Sequence, residues 1–199
     1  MQLSLFDTGQ PAFDASVAGL ERRDLGDGAW VDYLPRWLRG HDVVYRDLAR
    51  HADWKQERRR MYERSVDVPR LTAPLPASAP SAALVGELSA VLAAHYGVVF
   101  EGVSLAWYRD GEDSVAAHGD RIGRDRADTV VAIVSVGAPR RFVLRRAAGD
   151  ATLAYWPGWG DLLVMGGSCQ RTWLHAIPKT TRADPRISIQ LRARVRRAP

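Results

Sequence analysis

Cysteine and lysine are almost missing from this chain. One cysteine, Cys169, in 199 residues cannot close an internal disulfide, which removes disulfide-stapled secreted scaffolds and points to a reducing, cytoplasmic setting. No apolar run approaches the roughly 20 residues needed to cross a bilayer. Met1 is followed by neither a basic n-region nor an apolar h-region, so export and membrane embedding are not expected. There is also no internal repeat and no long low-complexity tract, which sets solenoid and array architectures aside. At this length the chain can bury one good core but not two comfortable ones. The expected organisation is a flexible N-terminal arm over 1–28 and a single domain over 29–199, working as a monomer.

Positive charge comes almost wholly from arginine. Lys55 and Lys179 are the only lysines among 28 Lys and Arg, and the formal net charge is +5. An arginine-rich surface favours phosphate and nucleic-acid contacts, although genome composition alone also raises arginine content. A hydrophobic fraction of 46% and a charged fraction of 26% are ordinary for a globular protein and name no activity.

Along the chain, the first 28 residues are rich in Asp, Gly and Ala and read as an irregular arm with an apolar tip at Leu3, Leu5 and Phe6. Val43, Val44, Leu48 and Ala52 recur at helical spacing within 41–54, predicting an amphipathic helix. Residues 58–68 read as a basic extended run ended by Pro69, and 73–81 as a Pro/Ala/Ser loop. Ser81 then stands as N-cap of a helix carrying Leu84, Leu88, Val91, Leu92 and His95, stopped by Gly97. Beyond Gly97 come seven short β-type runs, at 103–108, 130–136, 141–144, 152–155, 161–165, 173–177 and 187–195, separated by Gly, Pro and Asp turns. This grammar predicts a mainly β fold with flanking helices (α+β): an antiparallel double-sheet jelly roll with an N-terminal helical and lid extension over 29–97 and a core over 98–199.

Chemistry enters with His118-Gly119-Asp120 and, about 55 residues later, His175. Two imidazoles and a carboxylate hold one face of an octahedral Fe(II) and leave the opposite positions open. Arg186 and Arg192 follow, and a guanidinium grips a carboxylate through two parallel hydrogen bonds, which suggests an anionic co-substrate. An isolated H-x-D is more often a surface pair than a metal site; its order with the strands, the second histidine and R-x-S-x-x-x-R is what carries weight.

In that order the sequence resembles the AlkB family of Fe(II)- and 2-oxoglutarate-dependent dioxygenases. The resemblance runs from about Trp54 to Val195. It rests on Val68-Pro69-Arg70-Leu71-Thr72, on Ala106-Trp107-Tyr108-Arg109-Asp110-Gly111 with Asp113-Ser114-Val115, on His118-Gly119-Asp120, and on residues 133–137. Arg141-Phe142 with Arg145, residues 160–165, Trp173-Leu174-His175-Ala176-Ile177-Pro178-Lys179 and residues 186–192 complete it. The resemblance implies Fe(II) bound by His118, Asp120 and His175, with 2-oxoglutarate and O2 as co-substrates. It implies Arg186 and Tyr108 on the distal carboxylate of 2-oxoglutarate, with Ser188 and Arg192 completing that site.

Four positions depart from the family pattern. Ala106 and Ser188 stand where asparagines are expected, Ile122 where an acidic residue often faces the damaged base, and Ala73-Pro74-Leu75 where an aromatic pair commonly follows the lid. Enzymes that extrude a base stack it on aromatic or apolar side chains, so Tyr62 or Trp54 are candidates to stand in, against a core role for both. Arg70 and Arg145 are candidate substrate contacts. Arg58, Arg59, Arg60 and Arg70 either track phosphates or form a solvated charged run. Cys169 reads as a buried structural thiol, His41, His51 and His95 as structural or exposed, and Trp173 either as a wall of the metal site or as ordinary core.

Gln2-Leu3-Ser4-Leu5-Phe6 resembles the short peptide by which bacterial DNA-processing proteins dock on the replication sliding clamp; an apolar terminus packed on the domain is the alternative. The expected function is oxidative demethylation of N-alkylated bases in single-stranded or flipped DNA, releasing formaldehyde, succinate and CO2. The alternatives are the same chemistry on RNA, protein or a small molecule, or a non-catalytic module that binds DNA or the clamp.

Overall fold

Runs such as Thr-Val-Val-Ala-Ile-Val-Ser-Val, without polar alternation, have the composition of strands covered on both faces. The computed structural model describes residues 9–61, 64–120 and 128–194, with the side chains of residues 57–67 and of residue 194 outside that set. In chain order the elements are β1 (Ala12–Phe13), β2 (Glu21–Gly26), β3 (Ala29–Leu34), β4 (Leu38–Arg39), α1 (His41–His51), β5 (Lys55–Met61), β6 (Arg64–Pro74) and α2 (Ala82–Tyr96). There follow β7 (Val99–Tyr108), β8 (Val115–His118), β9 (Thr129–Gly137), β10 (Phe142–Arg146), β11 (Thr152–Tyr155), β12 (Asp161–Gly167), a one-turn α3 (Cys169–Thr172), β13 (Trp173–Ile177) and β14 (Arg186–Arg194).

The strands build an eight-stranded sheet in the order β2-β3-β12-β9-β14-β7-β6-β5 and a four-stranded sheet in the order β11-β10-β13-β8, with β1 and β4 paired apart. Strand pairing is antiparallel throughout the described ladders. Successive side chains point to opposite faces, and the large sheet buries both. Leu162, Val164, Ile187 and Ile189 pack with Val44 and Leu48 of α1 and Val85 and Leu88 of α2. Leu163, Met165 and Val131 point the other way, against Phe142, Leu144, Trp173 and Ile177 of the small sheet. The mainly β, double-sheet architecture expected from the sequence is therefore present, and the second core, between the sheets, borders the polar cluster singled out in the sequence.

Three boundaries differ from expectation. The chain from residue 9 to 28 is not an irregular arm: β2 pairs with β3, and Val17 and Leu25 are buried. The sequence hides β2 because Glu-Arg-Arg-Asp-Leu-Gly is an edge strand with five exposed residues. Pro69 does not end the extended run either; β6 continues to Pro74, and Pro69 falls where the β5–β6 register shifts between Gln56 and Arg58, a bulge that tolerates the missing N–H. The first helix stops at His51 rather than near 54.

Ser81 precedes α2, but its side chain makes no capping hydrogen bond. Its backbone N–H instead donates to Asp47 Oδ2 at 2.6 Å, fixing α2 against α1. Gly97 closes α2 in the left-handed conformation, at φ 64°, as a residue without Cβ readily can. Tyr96 at that end donates to the buried Asp32 of β3, which also receives two bonds from Arg22.

Candidate active site

His118 ends β8 and His175 sits in the middle of β13, and the two are direct cross-strand partners. Residues this close across a ladder hold their side chains on one face, here the face turned to the large sheet. Asp120 follows after Gly119, where the chain crosses α3 so closely that a Cβ on Gly119 would meet the Gln170 carbonyl oxygen at 2.2 Å. Gln170, itself buried, accepts the Asp120 N–H at 2.9 Å. The ligand-type atoms of His118, Asp120 and His175 all lie within 4.8 Å of one another. Asp120 Oδ1 is 3.7 Å from His118 Nε2 and 3.8 Å from His175 Nε2.

The state of each group suits a cation. His118 Nδ1 lies 2.8 Å from the Ala116 carbonyl; that contact is a hydrogen bond only with the proton on Nδ1, which leaves the Nε2 lone pair facing the cluster. Burial, aided by the neighbouring His118, pushes His175 down to about 4, so its imidazole is neutral at pH 7. Its ring stacks on Phe142 at 5.7 Å and 12°. For Asp120, burial works against the charge, but Arg192 and the two imidazoles outweigh it and hold the carboxyl below its ordinary value.

Deeper in the same cavity lies Arg186, the first residue of β14, with no solvent exposure. One of its nitrogens, Nη2, donates to Ser135 Oγ at 2.7 Å, while Nε and Nη1 are buried without any hydrogen-bond partner. Burial pushes the guanidinium down to about 10. A buried cation with two idle donors is costly unless an anion answers it. Tyr108, its cross-strand partner on β7, is buried beside it, and burial raises the phenol above its ordinary value. A dicarboxylate reaching from the His–Asp–His cluster to Arg186 satisfies both ends of the cavity, so the residues present fit both a divalent iron and 2-oxoglutarate.

The family model for the 2OG-Fe(II) oxygenase superfamily matches residues 23–196. The chain belongs to that superfamily. As an Fe(II)/2-oxoglutarate oxygenase it takes Fe(II), 2-oxoglutarate and O2 as its cofactors. It is 27% identical over 216 residues to the DNA oxidative demethylase ALKBH2 of Arabidopsis thaliana, covering 85% of this chain and 68% of that one. It is 28% identical over 202 residues to the alpha-ketoglutarate-dependent dioxygenase alkB homolog 3 of Bos taurus, covering 89% and 68%. These relatives place it with the AlkB-type enzymes within the superfamily. A prolyl hydroxylase from Trichoplax adhaerens, solved with a hypoxia inducible factor peptide, superposes with a TM-score of 0.63 over 82% of each chain at 11% identity, a likeness of fold.

The oxygenase's other expected site residues divide by strand face. Ser188 lines the cavity on β14, where its hydroxyl accepts from Gln190 Nε2 at 3.3 Å. Arg192 lines it too, but donates to Asp120 Oδ2 at 2.8 Å, Ser104 Oγ at 2.7 Å and Gln190 Oε1 at 2.8 Å. Six extended residues separate its Cα from that of Arg186 by roughly 20 Å, so in this structure it orients the Asp120 carboxylate at one end of the cavity while Arg186 stands at the other. Arg70 lines the cavity from β6, not the outer surface. Arg145 does not: its neighbour Leu144 points inward opposite His175, which leaves Arg145 exposed on the outer face. Trp54 is core, 5.1 Å from Trp107 on the outer face of β7, its Nε1 donating to the Ala49 carbonyl. Tyr62, Ile122 and Gln2, Leu3, Ser4, Leu5 and Phe6 lie outside the described residues.

Gln190, Ser135, Phe142 and Gln170 were missed from sequence. Period two along Arg186, Ser188 and Arg192 already marked Gln190 as facing inward. Nothing local marks Gln170, which acts only through the crossing of α3 behind Gly119. Trp173 is buried in the inter-sheet core, and Cys169 is buried with its thiol pushed up to about 12, a structural thiol and no nucleophile.

Proposed function

We propose that this oxygenase removes methyl groups from N-alkylated bases in DNA presented single-stranded or extruded from the duplex. The observation that carries the reading is the pairing of the His118–Asp120–His175 cluster with the unanswered guanidinium of Arg186 in one cavity. The relative named as a DNA oxidative demethylase and the arginine excess support the substrate class.

In this reading His118, Asp120 and His175 hold the iron, Arg186 and Tyr108 hold the distal carboxylate of 2-oxoglutarate, and Ser188 adds a hydroxyl beside it. When bound, iron with 2-oxoglutarate and O2 supplies the oxidant, one oxygen atom ending in succinate and the other in the N-methyl group. Arg192 keeps Asp120 turned toward the imidazoles, and Phe142 fixes the plane of His175. Val115, Ile133 and Ile177 line the cavity with apolar surface that excludes water, which confines oxidation to a seated substrate. The hydroxymethyl product has nitrogen and oxygen on one carbon and collapses to formaldehyde and the free base.

Incubation of methylated DNA and RNA oligonucleotides with the protein, Fe(II) and 2-oxoglutarate tests the proposal. Formaldehyde is expected in step with succinate, and His118→Ala abolishes both. Succinate without formaldehyde moves the activity to protein or small-molecule substrates; no turnover by the wild type leaves a binding module.

The chain is further proposed to act in the cytoplasm, as a monomer, and to meet the sliding clamp through residues 2–6. Clamp retention by the intact protein but not by one lacking residues 1–7 checks the last point, and equal retention removes it. No helix among the described residues is long and apolar enough to cross a membrane.

A further inference from the structure

Two tryptophans stand on the surface three residues apart. Trp156 and Trp159 are 58% and 41% exposed, in the turn Tyr-Trp-Pro-Gly-Trp-Gly that leads from β11 to β12. The turn is nevertheless fastened at every backbone position from Pro157 to Gly160. The Pro157 carbonyl accepts the Arg140 N–H at 3.2 Å, and the N–H groups of Trp159 and Gly160 donate to the Gly137 and Ser135 carbonyls at 2.9 and 2.7 Å. Gly158 lies so close to the chain at Pro139 that a Cβ would meet its nitrogen at 2.4 Å. Gly137 and Ser135 pair with Arg186 and Ser188 of β14, so the turn sits at the Arg186 end of the sheets, and neither ring lines the cavity.

Trp159 is held at φ 46°, in the left-handed region that bulky residues avoid. Arg36 sits at φ 52°, and one buried carboxylate fixes both turns. Asp161 accepts the Arg36 N–H on Oδ1 at 2.8 Å and the Gly158 N–H on Oδ2 at 3.1 Å. The Leu38 N–H donates to the Gly160 carbonyl at 2.9 Å, which lays residues 36–39 along the tryptophan turn. Arg36 and Arg39 are exposed, and neither side chain meets an acidic partner among the described residues. Glycine would take either left-handed position without strain. Packing does not explain the ring of Trp159 or the guanidinium of Arg36, because both project into solvent. Rigid aromatic rings beside free guanidinium groups suit a single strand, whose bases stack on the rings whatever their sequence while its phosphates pair with the cations.

We propose that Trp156, Trp159, Arg36 and Arg39 form a second contact for the single strand, outside the cavity, on which nucleotides flanking the demethylated one stack. The inference shares the nucleic-acid substrate of the demethylase reading and adds a binding surface to it. That surface raises affinity for long strands and takes no part in the oxidation.

The test compares methylated single strands of about 3 and about 20 nucleotides, below and above the site size of single-strand platforms. Kd is measured by fluorescence anisotropy under anaerobic conditions, with Mn(II) in place of Fe(II) and with 2-oxoglutarate present. Trp159→Gly removes a ring and the backbone strain together, so combined with Trp156→Ala it leaves a folded protein, checked by thermal unfolding. This double variant is expected to bind the long strand about tenfold or more weakly, the scale of one or two stacked bases, and the short strand within about twofold of the wild type. Arg36→Gln with Arg39→Gln is expected to lower the slope of log affinity against log salt for the long strand by about 0.7 or more, the release of counterions from at least one phosphate.

Equal affinity of the wild type and the tryptophan double variant for the long strand overturns the proposal, leaves the demethylase reading intact and turns the surface over to a protein partner. An equal loss on both strands overturns it as well, because the rings then act through the cavity, and so does a salt slope that the arginine variant leaves unchanged. If the wild type neither binds nor demethylates either strand while still consuming 2-oxoglutarate, the demethylase reading falls and the proposal with it.

Discussion

Arg192 donates to one oxygen of Asp120 at 2.8 Å while the other oxygen of that carboxylate stands between the two imidazoles. An arginine on β14 therefore aims a carboxylate that follows β8. Groups that orient metal ligands contribute about 10- to 100-fold to metal affinity. Arg192→Leu is expected to weaken Mn(II) or Fe(II) binding by that factor, read by calorimetry. Unchanged affinity would mean that Gln170 alone positions Asp120.

Removing the buried guanidinium of Arg186 separates folding from ligand binding. An uncompensated buried charge destabilises the empty protein, so Arg186→Met is expected to unfold at a temperature no lower than the wild type. The wild type gains about 2.7 kcal/mol when 2-oxoglutarate is present at about 100 times its Kd. The variant gains nothing at that concentration, and a melting curve shifted equally by 2-oxoglutarate in both proteins rules out Arg186 as its anchor.

Gly119 lies between His118 and Asp120, two of the three residues proposed to hold the iron, with no room for a side chain. Gly119→Ala pushes the chain off the Gln170 carbonyl and moves His118 and Asp120 apart. Metal affinity is expected to fall at least about tenfold, the scale of a displaced ligand shell, with the secondary structure intact by circular dichroism. Full retention of metal binding contradicts the close approach.

Asp113 carries a pH-dependent part of stability. Burial opposes its charge, but the Arg109 guanidinium, at 2.8 and 2.9 Å, and the Arg109 backbone N–H, at 2.8 Å, prevail and hold the carboxyl below its ordinary value. A depressed carboxyl stabilises the fold above its ordinary value near pH 4 and loses that contribution as pH falls through the folded one. Asp113→Asn is expected to cost about 1–3 kcal/mol at pH 7, with the difference shrinking toward zero in acid. A difference constant with pH shows that the carboxylate's charge has no part in closing this turn.

The same turn shows what could and could not be read in advance. The run from Ala106 through Val115 announced a strand, a turn and the approach to the first ligand, because turn residues act over a few positions. Arg140, which donates to the carbonyls of Gly111 and Asp113 at 3.1 and 2.6 Å, looked like one more arginine in an arginine-rich chain. Its partners are 27 and more residues away, and no local pattern encodes them. Trp54 and Arg145 failed as site residues for the same reason: residue type suggested stacking or charge, and only the face of the sheet assigns a side chain to the cavity or away from it.

By itself the sequence determined the two main helices, most strands beyond Gly97 and the class of chemistry. Apolar runs between Gly and Pro breaks mark the buried strands, and the types and order of His118, Asp120, His175 and Arg186 point to the metal and co-substrate they suit. Only the tertiary structure decided who meets whom: Arg192 with Asp120, Gln170 behind Gly119, Arg70 beside Tyr108. Strand propensity and turn chemistry act between near neighbours, whereas register across a ladder and the facing of two sheets are fixed by the packing of the whole core.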